Sequence, residues 1–137
     1  LYDWSKYIER NLVTDSELTE LVIRYFSALD ARDPDALAQT LAKDCILKIQ
    51  THDITYSGRD TISTFFATRW EGTLKAVHHN FTHTPSHSTG RIASQFTVTY
   101  SGIGAADPKS NANVFTMCKD HITKIDVYMA GENTIKS

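Results

Sequence analysis

Six histidines, two cysteines, six tyrosines and sixteen acidic residues are the groups in this chain that could do chemistry, and their spacing removes most of the options. His79, His83 and His87 recur every four residues. That is metal-ligand spacing only on a helix, and Pro85 with the strand-forming Val77 and Phe81 argues for extended backbone there, so no metal is expected. Cys45 and Cys118 lie far apart and in no C-x-x-C pattern, which leaves a disulfide framework, a zinc knuckle and a haem attachment site without support. Gly102 to Ala106 holds too few glycines to cradle a phosphate, and neither a dinucleotide fingerprint nor a nucleophile elbow is present. What remains is acid–base chemistry by individual side chains. Tyr25 falls on the apolar side of a helical pattern, where a buried phenol either donates a hydrogen bond to a developing enolate or completes a core. Asp53, just after the first strand, is a reserve acid or base.

The elements that must position these groups are legible from periodicity. Trp4, Tyr7, Ile8 and Leu12 predict a short N-terminal helix. Thr14 and Glu17 form a capping box, followed by Leu18, Leu21, Val22, Tyr25, Phe26 and Leu29 at i, i+3, i+4, i+7, i+8 and i+11. Asp33-Pro34 then opens a short helix that Leu37 and Leu41 carry to about Lys43. The period changes at Cys45, where Leu47, Ile49 and Thr51 share one face of a strand. Tyr56-Ser57-Gly58 reads as a turn, and Arg59 to Trp70 as a third helix of the main body. Strands follow over Leu74–Thr84, Arg91–Ser101, Asn111–Cys118 and Ile122–Ala130. Helices first and long antiparallel strands afterwards predict an α+β fold.

At 137 residues the chain suits one domain and leaves no room for a cofactor domain. The expected organisation is a single domain over residues 1–137, with 1–13 as an extra helix and 14–131 as the core. Fourteen basic and sixteen acidic residues give 14 − 16 = −2, and the pI is near 6.3. Without an excess of positive charge, nucleic acid is not expected as a partner. The longest apolar run is too short to span a bilayer and no secretory signal is visible, so the expectation is a cytoplasmic protein without membrane contact. Asn80-Phe81-Thr82 fits a glycosylation sequon, which carries no implication in that setting.

The order of elements resembles the nuclear transport factor two-like superfamily, and in particular its SnoaL-like and ketosteroid-isomerase-like enzymes. The segments carrying the resemblance are Ile23 to Leu37, Tyr56 to Ile62 and Ile122 to Met129, and it covers roughly residues 14 to 131. It implies a cone-shaped α+β barrel in which a curved, mostly antiparallel sheet wraps N-terminal helices around an apolar pocket. It also implies cofactor-independent catalysis and a homodimer. Because this fold hosts enzymes, adaptors and dimerisation modules alike, function must come from the site.

Within that resemblance Tyr25 matches the oxyanion-stabilising tyrosine of the ketosteroid isomerases, an enzyme long used to illustrate a tyrosine and a neutral carboxylic acid sharing this task. Asn113 matches the second donor. The isomerases' base corresponds to Ile49, and the pocket aspartate of limonene epoxide hydrolases to Val127 with Asp126 on the other face, so neither reaction is implied. The scytalone dehydratases pair an Asp at the end of the long helix with a His on the strand after the third helix, and Asp30 with His78 resembles that pair. Such an Asp fixes the imidazole tautomer and leaves the other ring nitrogen for proton transfer. Alternation does not decide whether His78 or His79 faces inward. The remaining inward candidates are Phe65, Phe96, Val98, Tyr100 and Phe115, together with Met117, Ile125, Val127 and Met129. Lining of this kind suits a hydrophobic small molecule. The reading is an isomerase, cyclase or dehydratase of a polyketide, terpenoid or alkaloid-type intermediate, with a non-catalytic binding or association module as its rival.

Overall fold

A computed structural model describes residues 13–131 and Ile135. The expected N-terminal helix lies outside the described residues. Helix α1 (Asp15–Ala31) starts with the anticipated capping box: Thr14 Oγ1 accepts from the Glu17 N–H at 3.1 Å, and the Thr14 N–H donates to Glu17 Oε1 at 3.1 Å. Its apolar stripe, Leu18, Leu21, Val22, Tyr25, Phe26 and Leu29, is buried throughout. The helix stops at Arg32, whose left-handed φ of 54° turns its N–H back onto the carbonyls of Ala28 and Leu29. Asp33 then caps α2 (Pro34–Thr40) by accepting from the Ala36 N–H.

Three local expectations need correction, the first being that Thr51 does not continue the strand face of Leu47 and Ile49 but lies in a 3-10 turn over Gln50–His52. Helix α2 ends at Thr40 rather than near Lys43, because Leu41 already opens strand β1 (Leu41–Ile49) and pairs with Ile122. A buried leucine continues a helical stripe or starts a strand equally well, and the partner strand, distant in sequence, decided it. Tyr56 and Ser57 belong to strand β2 (Ile54–Ser57), and only Gly58, at φ 96°, makes the turn. Four residues at a sheet edge, none of them buried, show no alternation to read.

After α3 (Arg59–Trp70) come β3 (Lys75–Ser86), β4 (Arg91–Ser101), β5 (Lys109–Cys118) and β6 (His121–Tyr128). The sheet has six strands in the order β2-β1-β6-β5-β4-β3. All neighbours are antiparallel except β1 and β6, which run parallel, so the sheet is mixed and open. β3 is an edge, which is where a strand tolerates Pro85.

The core lies between α1 and the sheet. Phe26 packs its ring 4.9 Å from each of Phe81, Phe96 and His78, and Tyr25 stands edge-on to Phe115 at 5.3 Å. Each such aromatic contributes about 1.5–3 kcal/mol through burial. Strand β3 reaches this cluster through a bulge between His79 and Thr82, with Asn80 in the left-handed region at φ 57°. The extra residue lets His78 and Phe81, three apart, face the same side. Among the described residues no helix is long and apolar enough to cross a membrane.

Candidate functional site

Helices and sheet leave between them a cavity of about 410 Å³. Burial gives its depth. Tyr25, Leu47, Phe96, Val98 and Asn113 are buried lining residues, while Arg32, Phe65, Arg69, Trp70, Leu74 and Tyr100 are more accessible and form the mouth. His78 lines the wall between them with a side chain 15% exposed.

Asp30 and His78 come together, although 48 residues separate them. Asp30 Oδ1 lies 2.6 Å from His78 Nδ1, and the same carboxylate accepts the His78 backbone N–H at 3.1 Å through Oδ2. Asp30 sits on the last turn of α1, and the β3 backbone passes directly across it. The carboxylate therefore fixes strand and ring together. With Nδ1 engaged, Nε2 is the ring nitrogen without a described partner.

Tyr25 is deeper, 1% exposed and held by edge contacts to Phe26 and Phe115. Burial, with the nearby Cys45 as a smaller cause, raises its pKa well above the ordinary tyrosine value, so the phenol keeps its proton and acts as a donor. Asn113, 4% exposed, presents a side-chain oxygen that is buried without a hydrogen-bond partner. An orphaned buried acceptor costs about 1–3 kcal/mol unless something satisfies it. Next to it on the lining, Asn111 spends its own oxygen on the Ala130 N–H at 2.8 Å.

Of the other expected lining residues, Phe65, Phe96, Val98, Tyr100, Val127 and Met129 do line the cavity. Four do not. Asp53 is exposed and pairs with Lys48 at 3.6 Å. His79 faces outward to Thr99, 2.5 Å from its hydroxyl, because alternation places it opposite His78. Phe115 and Met117 are buried in the core cluster and do not line the cavity; Phe115 backs the Tyr25 ring. Ile125 is likewise core, and Asp126 lies away from the cavity, bound by Gln50 at 2.7 Å. His83 is committed to Ser94 at 2.8 Å and His87 to Asp15 at 3.0 Å, and among the described residues no group of His, Cys, Asp or Glu could hold a metal ion.

Sequence reasoning missed Arg32, Arg69 and Asn111 as lining residues. Arg32 falls where the long helix ends, and Arg69 in the helical series with Ile62, Phe65 and Phe66. A signal for Asn111 existed in its i, i+2 relation to Asn113 along β5.

The SnoaL-like domain family model matches residues 22–125. Among solved structures, a protein of Xanthomonas campestris described as a polyketide cyclase superposes with TM-score 0.71 at 19% identity, covering 83% of this chain and 90% of that one. An LEH-like epoxide hydrolase of M. tuberculosis gives 0.74 at 15% identity, with coverage of 85% and 84%. A Kribbella flavida protein described as a ketosteroid isomerase gives 0.71 at 11%, with coverage of 90% and 84%. Among curated proteins none matches in sequence. These likenesses establish the cone-shaped α+β architecture of the nuclear transport factor two-like superfamily, and the match across most of the chain places it in the SnoaL-like family.

Proposed function

We propose that this protein is a cofactor-independent general acid–base enzyme acting on a hydrophobic, ring-containing small molecule, in the manner of an isomerase, cyclase or dehydratase of secondary metabolism. The observation that carries the reading is the Asp30–His78 pair on the wall of a mostly apolar cavity. These reaction classes share one step, removal of a proton from carbon next to a carbonyl. His78 Nε2 takes that proton, and Asp30 stabilises the imidazolium that forms. Charge then moves to the carbonyl oxygen, which the protonated Tyr25 hydroxyl meets with a hydrogen bond. Asn113 contributes its amide hydrogens to the same oxygen, and its free carbonyl accepts from a substrate hydroxyl. The likeness to proteins described as polyketide cyclases supports this choice over a purely structural module.

Proton abstraction can be tested before the natural substrate is identified. Exchange of the α-protons of 2-tetralone in D₂O, followed by NMR, is expected to accelerate with the wild-type protein. His78→Asn and Asp30→Asn are expected to lower the rate by about 10²-fold or more while remaining folded. Binding of the probe with no accelerated exchange favours the binding-module reading, and exchange indifferent to both substitutions rejects the dyad.

A further inference from the structure

The charges around the cavity are one-sided. Its lining contains two arginines, Arg32 and Arg69, and no aspartate or glutamate, in a chain whose net charge is −2. The carboxylates nearest in sequence to Arg32 are Asp33, which caps α2 through the Ala36 N–H, and Asp30, which is spent on His78. Among the described residues neither guanidinium has a carboxylate partner. Arg32 donates to two backbone carbonyls, Trp70 O at 2.8 Å through Nη1 and Leu74 O at 2.5 Å through Nη2. Trp70 is the last residue of α3, so Arg32 rests on the partly negative end of that helix and meets no full countercharge among the described residues. Arg69, beside Trp70 in sequence, also lines the cavity, with its guanidinium over the Phe65 ring at 5.5 Å from the centroid. A guanidinium has five N–H donors in a planar fork, so both residues keep donors to offer.

We infer that Arg32 and Arg69 form an anion-recognition end of the cavity, and that the ligand is an aryl or polycyclic carboxylate whose ring system enters toward Phe96 and Val98 while its acid group stays at the mouth. This rests on the cavity being the ligand site of the proposed acid–base enzyme, and it adds the class of molecule that site accepts. An apolar floor and a cationic rim would orient such a molecule end to end. The orientation matters because His78 lies between floor and rim, and a fixed acid group sets which ring carbon lies beside it. The groove on the outer side of α3 shares Phe65 and Arg69 with the cavity, so the acid end can remain partly solvated while bound.

The test compares 2-naphthoate with its neutral isostere 2-naphthamide by calorimetry or by displacement of an environment-sensitive dye. Wild-type protein is expected to bind the carboxylate at least about tenfold more tightly than the amide, with the difference shrinking as salt is raised. Arg69→Gln, a change on an exposed side chain, should abolish most of that preference, read as the ratio of the two affinities. Arg32→Lys, which keeps charge but loses the fork, should reduce it, with thermal unfolding showing that the α3 end remains anchored. Equal affinity for both probes overturns the anion end and leaves the acid–base reading standing. Failure of both probes to bind overturns both. A preference that survives Arg69→Gln but disappears in His78→Asn moves the anion onto the imidazole and overturns the assignment to the arginines.

Discussion

At the scale of single residues, two buried groups are set apart by desolvation. Burial raises the pKa of Tyr25, and it pushes the Cys45 thiol from 9.0 to about 12, with Asp44 adding to the effect. In both cases the folded-state pKa exceeds the unfolded one. Their contribution to stability is therefore complete below the ordinary values and lost as pH rises through the folded ones. For Cys45 the window runs from about pH 9 to about 12. Urea midpoints measured across that window should fall with pH, and absorbance titration near 295 nm should leave one of the six tyrosines protonated until the protein unfolds. A thiol-specific reagent at neutral pH should label the exposed Cys118 quickly and Cys45 only after unfolding. Tyr25→Phe keeps the edge contacts to Phe26 and Phe115, so it should cost little stability. Proton exchange on 2-tetralone should nevertheless fall about 10²-fold, the usual effect of losing one donor to a developing oxyanion.

At the scale of elements, the bulge in β3 determines which histidine is useful. Asn80 occupies a left-handed conformation that Asn and Gly accept and β-branched residues resist. Deleting Asn80 would remove the extra residue and leave His78 and Phe81 two apart, so strict alternation would still turn both toward the core. The expected result is retained exchange activity and a thermal midpoint within a few degrees of wild type, read by circular dichroism. Asn80→Gly should retain both, whereas Asn80→Val should destabilise by about 1 kcal/mol or more. Gly102, at φ 108°, makes a comparable demand: a Cβ there would sit 2.4 Å from the Thr73 carbonyl oxygen. Gly102→Ala should therefore disturb the β4 end and the Thr73–Leu74 backbone that carries an Arg32 acceptor. The bulge was not legible in the sequence, because the series through Val77, His79 and Phe81 alternates as well as any strand. Packing of Phe26 against both His78 and Phe81 selected the bulged register.

At the scale of the whole molecule, the fold leaves a cavity where a structural module would have filled it. Saturating ligand at about 100 times Kd should stabilise the protein by roughly 2.7 kcal/mol, seen as a rise in Tm. Ala76→Phe, which projects a ring into the lining, should leave the fold intact and abolish that rise. A Tm that rises equally in this variant would place the ligand elsewhere.

Read alone, the sequence determined whatever depends on neighbours along the chain: the capping box at Thr14 and Glu17, the stripe of α1, the Asp33-Pro34 start and the change from helical to strand period. Its resemblance to known enzymes pointed to Asp30, His78, Tyr25 and Asn113, but periodicity could not choose between His78 and His79. Tertiary structure decided that choice, the edge strand β2, the end of α2 at Thr40 and the placing of Asp53 in solvent. It also brought Arg32, at the end of α1, and Arg69, in the helical series of α3, together on the lining of one cavity. The difference is physical: local periodicity shows which side of an element is apolar, whereas the partner each residue meets depends on contacts with strands and helices far away in the chain.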